Sequence, residues 1–84
     1  MPTRTQLQDL ETWLQSATIT TPPTSTQVSQ FLWVANDSCA SSGEIDTIAN
    51  SNATPATWIW PTWLINIMLQ WLAAEIKKID IGVG

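Results

Sequence analysis

The side chains best equipped for chemistry crowd into one stretch, NDSCASSGEID, which carries Asp37, Cys39, Glu44 and Asp46. A thiol can attack a carbonyl. Clustered carboxylates can move a proton or hold a hard cation. Each of these chemistries lacks a necessary companion here. The sequence has no histidine, so neither a Ser-His nor a Cys-His pair exists to activate a nucleophile. Cys39 follows an expected helix C-terminus with Asp37 nearby, negative surroundings that suit a nucleophilic thiolate poorly. It reads as a small core residue. The carboxylates do not follow the calcium-loop spacing D-x-[DN]-x-[DN]-G. Helix capping is the simpler role for Glu44 and Asp46. With one cysteine and no histidine, a zinc site would need mostly carboxylates, a poor donor set. The three glycines form no phosphate-cradling loop. The expectation is therefore no catalytic residue, no metal and no cofactor.

The lone cysteine also precludes an internal disulfide. A chain of 84 residues makes at most one domain. A domain near that size buries only about 60% of its unfolded surface. Without staples, docking onto other subunits is the expected source of extra stability. Seven acids oppose three bases, for a net charge of −4. Arg4, Lys77 and Lys78 lie at opposite ends of the sequence and form no basic stripe, which argues against nucleic-acid binding. Charged residues make up 12% of the chain, against roughly a quarter to a third on the surface of a soluble monomer. A low-charge, hydroxyl-rich surface suits a protein covered by neighbours. The opening MPTRTQLQDLETW lacks the apolar core of a classical secretory signal. In a chain so rich in Ser and Thr, the two Asn-x-Ser/Thr sequons at Asn36 and Asn52 read as coincidence.

Four helical segments are expected to carry these residues. Leu7, Leu10, Leu14 and Ala17 repeat at helical spacing, with Trp13 beside them, and Thr5 with Gln8 makes a capping-box pattern. This predicts a helix over about Gln6 to Ala17. Residues 18–24 hold threonines and a Pro-Pro pair that cannot continue a helix, and form a connector. Thr24 with Gln27 opens a second helix, Ser25 to Asp37, with Val28, Phe31, Leu32, Ala35 and Cys39 on one face. Ser41 with Glu44 opens a short third one in GEIDTIAN, whose Ile45, Ile48 and Ala49 point one way. Residues 50–57 form a loop.

The fourth helix is expected to begin near Pro61 or Thr62, with Trp58 to Trp60 as its lead-in. The other start, Thr54 capping with Pro55 inside, would leave Pro61 as a kink. Lys77 and Lys78 suit a last turn and Gly82 an end. The alternation in KIDIGVG instead suggests an extended tail, residues 79–84, able to lie along a neighbour's sheet edge. The fold class is a small all-α bundle of three to four short helices with extended arms and connector segments.

TWIWPTWLINIMLQWLAAEIKK, residues 57–78, decides the functional reading. At 100° per residue Thr62, Asn66, Gln70, Ala73, Lys77 and Asp80 form a narrow polar stripe, and the rest of the segment is apolar. Such a helix must be sheltered on most sides. One shelter is lipid, as in a holin-type span. The uncharged run 58–74 covers only about 25 Å as helix, however, against a hydrocarbon core of about 30 Å. Pro61, Asn66 and Gln70 also sit within it. The second shelter is the bundle itself, as a self-contained binding domain. The third is a partner, because six tryptophans at about 150–250 Å² each exceed what a thin bundle encloses. Trp58 and Trp60 are the expected anchors, followed by Trp33, with Trp63, Ile67, Trp71, Ile79 and Ile81 completing a protein-interface set. These residues together lead to the expectation of a non-enzymatic structural or adaptor subunit of a larger assembly. Its partners are other protein subunits, copies of itself among them, rather than nucleic acid, with a membrane as the less favoured alternative. The most concrete form is a minor bacteriophage virion component, located in a virion or an intracellular assembly.

Overall fold

The computed structural model describes residues 1–16, 22–51 and 60–82, and these form a four-helix bundle. Helices α1 (Arg4–Leu14), α2 (Ser25–Asp37), α3 (Ser42–Ala49) and α4 (Thr62–Asp80) follow in chain order, and there is no strand among the described residues.

Each of the first three helices starts at a reciprocal capping box. The Gln27 amide N–H donates to the Thr24 hydroxyl at 3.1 Å, and the Thr24 N–H donates to Gln27 Oε1 at 2.9 Å. Ser41 and Glu44 repeat this at 3.3 and 2.8 Å. Two otherwise orphaned amides are satisfied at each start. At α1 the box is Thr3 with Gln6 rather than Thr5 with Gln8. Both pairs have the required spacing. The earlier one also puts Pro2 and Leu7, both buried, at the two staple positions flanking the cap. The helix then ends at Leu14 instead of running on to Ala17, which lies outside the described residues.

The α2 helix stops at Asp37 in a tight turn. The Ala40 N–H donates back to the Ala35 carbonyl at 2.9 Å, and the Cys39 N–H donates to the Asn36 carbonyl at 3.2 Å. This is a Schellman closure, which needs a left-handed residue between. Cys39 supplies it with φ 57° and is exposed. The expected place for Cys39 on the buried face of α2 is therefore incorrect: the helix ends before that face reaches it.

Helix α4 begins at Thr62 with Pro61 as its N-cap residue, so Pro61 starts the helix and does not bend it. It continues to Asp80, and Gly82 follows with φ 68°. The extended tail expected from residue 79 is thus corrected over its described part. Ile79 extends the same apolar face and packs against the core, which outweighs the short period-two pattern.

The core is built from Leu7, Leu10 and Leu14 of α1, Val28, Phe31, Val34 and Ala35 of α2, Ile48 of α3, and Leu64, Met68 and Leu72 of α4. The Arg4 guanidinium, at the start of α1, forks onto the Asp80 carboxylate, at the end of α4, with distances of 2.5 and 3.0 Å. At the other pole Trp13 of α1 meets Trp60 just ahead of α4. The two helices are therefore antiparallel, and α2 packs against both α3 and α4.

Candidate interaction surface

The tryptophans divide into inward and outward groups. Trp60 turns in. Its ring stands edge-on to Trp13 at 5.6 Å and edge-on to Phe31 at 5.3 Å, and the Trp13 and Phe31 centroids are 6.0 Å apart. Edge-to-face contacts of this kind stabilise by about 0.5–1.5 kcal/mol beyond the area they bury. Trp60 is 7% exposed, which corrects its expected role as an anchor for a neighbour's pocket: the bundle consumes this ring itself. Trp58, the companion anchor, lies outside the described residues.

Trp63 turns out. It is 57% exposed, and Ile81 is 72% exposed. Eighteen residues make about five helical turns, so these two fall on one line along α4. Ile67, half-buried, lies on the same line, and Trp71, also half-buried, flanks it. The structure thus leaves Trp63 and Ile81 on the outer side of α4, while Ile67 and Trp71 also pack against the core. Thr62, Asn66, Gln70, Ala73, Lys77 and Asp80, the polar stripe read from the sequence, are all exposed beside them. Ile79 belongs to the inner side and packs on the core. Trp33 lies elsewhere, on α2. With Gln30 and Ser29 it faces Met1, Pro2 and Gln6 across an open groove of about 300 Å³.

The remaining chemistry sits where α2 ends against α4. Glu75 is buried at 3% exposure. The Lys78 ammonium donates to Glu75 Oε1 at 2.9 Å and to Asp37 Oδ2 at 3.1 Å. Burial pushes the Glu75 carboxyl up from the usual range, helped by its hydrogen bond with Asp37. The same hydrogen bond, followed by the one from Lys78, draws Asp37 down. The two carboxyls are thus pushed in opposite directions beside a shared cation. Sequence reasoning missed Glu75, although a signal existed. Leu64, Met68, Leu72 and Glu75 are spaced four, four and three apart, so the carboxylate falls on the apolar face. No group of three or more potential metal-ligating side chains is assembled among the described residues.

Among those residues no helix is long and apolar enough to cross a membrane. The less favoured alternative of a span over 58–74 gains no support over its described part: the inner side of α4 is occupied by protein, and its outer side mixes apolar and polar groups. No protein-family model matches the chain, and no curated protein and no solved structure matches it either.

Proposed function

We propose that this protein is a non-enzymatic structural or adaptor subunit of a larger assembly, gripping a neighbouring subunit through the outer face of α4. The observation that carries this reading is the exposure of Trp63 and Ile81 on one line of α4, left outside the core. Exposed indoles set among uncharged residues are the usual anchors of protein interfaces. The low charge content and the absence of histidine agree with a part that holds position and makes no bond. A minor bacteriophage virion component is the most concrete form of the proposal.

The test is sedimentation of the tagged chain from the cells or particles that produce it. It should travel with a particle far heavier than its own 9.3 kDa. Trp63→Glu should release it while leaving its helical circular dichroism intact. A chain that travels at its own mass before and after that substitution overturns the proposal.

A second reading, a self-contained helical binding domain, is favoured by the Trp33 groove, whose rim carries amides and hydroxyls and no charged side chain. Under that reading Trp33→Ala, and not Trp63→Glu, abolishes binding to the partner.

A further inference from the structure

The corner where α2 gives way to α3 is tied to α4 by a single ammonium. Asp37 is the last residue of α2, and α3 begins at Ser42. Lys78 reaches Asp37 Oδ2 and Glu75 Oε1 together. The two acids stand in different positions. Glu75 is on the same helix as Lys78, three residues before it, and keeps that neighbour wherever α2 sits. Asp37 belongs to α2, and among the described residues its pair with Lys78 is the ion pair that joins α2 to α4. Further back along α2 the junction is uncharged, with Phe31 edge-on to Trp60.

Two acids and one base balance only while one acid carries a proton. With Glu75 neutral, Lys78 answers Asp37, and the buried carboxyl bears no charge. With Glu75 ionised, two carboxylates compete for one ammonium, and one of them is an anion with little access to water, a costly arrangement. One movement relieves both stresses. If the α2–α3 corner leaves α4, Glu75 meets water, keeps Lys78 and loses the facing Asp37. We propose that Asp37, Lys78 and Glu75 form a proton-operated latch, which holds the α2–α3 corner on α4 while Glu75 is neutral and releases it once Glu75 ionises.

The remaining charges leave this balance intact. Asp37 is the one charged residue of α2. Helix α3 brings Glu44, engaged in its capping box with Ser41, and Asp46, which is exposed. Helix α1 brings Arg4, committed to Asp80, with Asp9 exposed and Glu11 half-buried. On α4 itself Lys77 is exposed. The Glu75 carboxyl answers to its burial, to Asp37 and to Lys78, and burial holds it above its ordinary range. The part released is the one least able to stand alone. Helix α3 has eight residues, and isolated helices shorter than about 12–15 residues are marginal in water. Release therefore frays α3, while α1 and α4 keep their own leucine-lined contact.

Native-state amide exchange of the full chain between about pH 5 and 8, corrected for the intrinsic rate at each pH, tests the latch. The Ile45 and Asn50 amides of α3, bonded to the Ser41 and Asp46 carbonyls, should exchange through a local opening that depends little on urea. The Leu10 and Leu14 amides of α1 should need the urea-sensitive global unfolding. The α3 opening should grow by up to about tenfold per pH unit above the ordinary 4.5 of Glu75 and level off past its folded value. Glu75→Gln, neutral and of the same shape, should abolish that growth. Asp37→Asn should shrink it, because the competing carboxylate is gone, whereas burial alone would leave it unchanged. An α3 opening that is flat with pH overturns the proposal. So does growth that survives Glu75→Gln, or growth indifferent to Asp37→Asn. An opening with the urea dependence of global unfolding also overturns it, since the corner then never leaves α4 on its own.

Discussion

The two faces of α4 both carry large apolar side chains and are opposite in circumstance. The inner face sets Leu64, Met68, Leu72 and Ile79 against the core shared with α1 and α2, with the single carboxyl of Glu75 among them. The outer face sets Trp63, Ile67 and Ile81 among amides, alanines and a lysine. They differ in how much apolar surface they hold and in the charges each tolerates. The inner face admits a carboxyl only with Asp37 and Lys78 to receive it, because an unpaired charge in an apolar interior is very costly. The outer face keeps its charge at one end, where water reaches it. One helix therefore holds the fold together and leaves Trp63 and Ile81 exposed on its other side.

The contrast is broken most severely from within. Leu72 is fully buried, and Leu72→Ala should cost about 2–5 kcal/mol. Against a total stability at the lower end of about 5–15 kcal/mol, that leaves a large unfolded fraction, seen in urea titration as a lowered midpoint.

The next effect depends on pH. The folded state holds the Glu75 carboxyl above its ordinary value of 4.5, so its contribution is fully present below that pH and is lost as pH rises through the folded pKa. Asp37 is held below its ordinary 3.8, so its contribution is present above that pH and is lost as pH falls through the folded value. Stability should therefore peak in mild acid, between the two folded values. Thermal melts across pH should show a decline on the alkaline side that Glu75→Gln removes. Parallel curves for the two proteins would refute the raised Glu75 carboxyl.

A smaller effect sharpens the fold around this seam. Cys39 holds a left-handed conformation that costs an L-residue about 1–2 kcal/mol. Cys39→Gly should stabilise by about 1 kcal/mol, roughly 4–8 °C in melting temperature for a domain of this size. Smallest of all, Trp63→Ala at concentrations that keep the chain monomeric should shift stability by no more than about 0.5 kcal/mol, although the indole it removes is as large as that of Trp60. A larger loss would place Trp63 within the fold and erase the distinction between the faces.

Much of the architecture was legible, and the failures are physical. The α2 and α3 starts were readable because each offers one capping box directly after turn residues. At α1 two boxes overlap by two residues, and the choice between them depends on tertiary burial of Pro2, which spacing does not encode. The polar stripe of α4 follows from the helical period and is exposed throughout. The inward turn of Trp60 was not legible, since it depends on Trp13 and Phe31 arriving from two other helices. Cys39 was placed on a helical face that the Schellman turn cuts short. Glu75 was available from its spacing, but its charge suggested the surface.

The fork between Arg4 and Asp80 joins positions 76 residues apart. During synthesis at about 5–20 residues per second, α1 is complete several seconds before the end of α4 exists to receive it. For that interval the leucine stripe of α1 has no permanent mate. The bundle can close only when its last helix arrives, so the nascent chain has a period in which chaperones, or misdirected pairing with other chains, compete for those leucines.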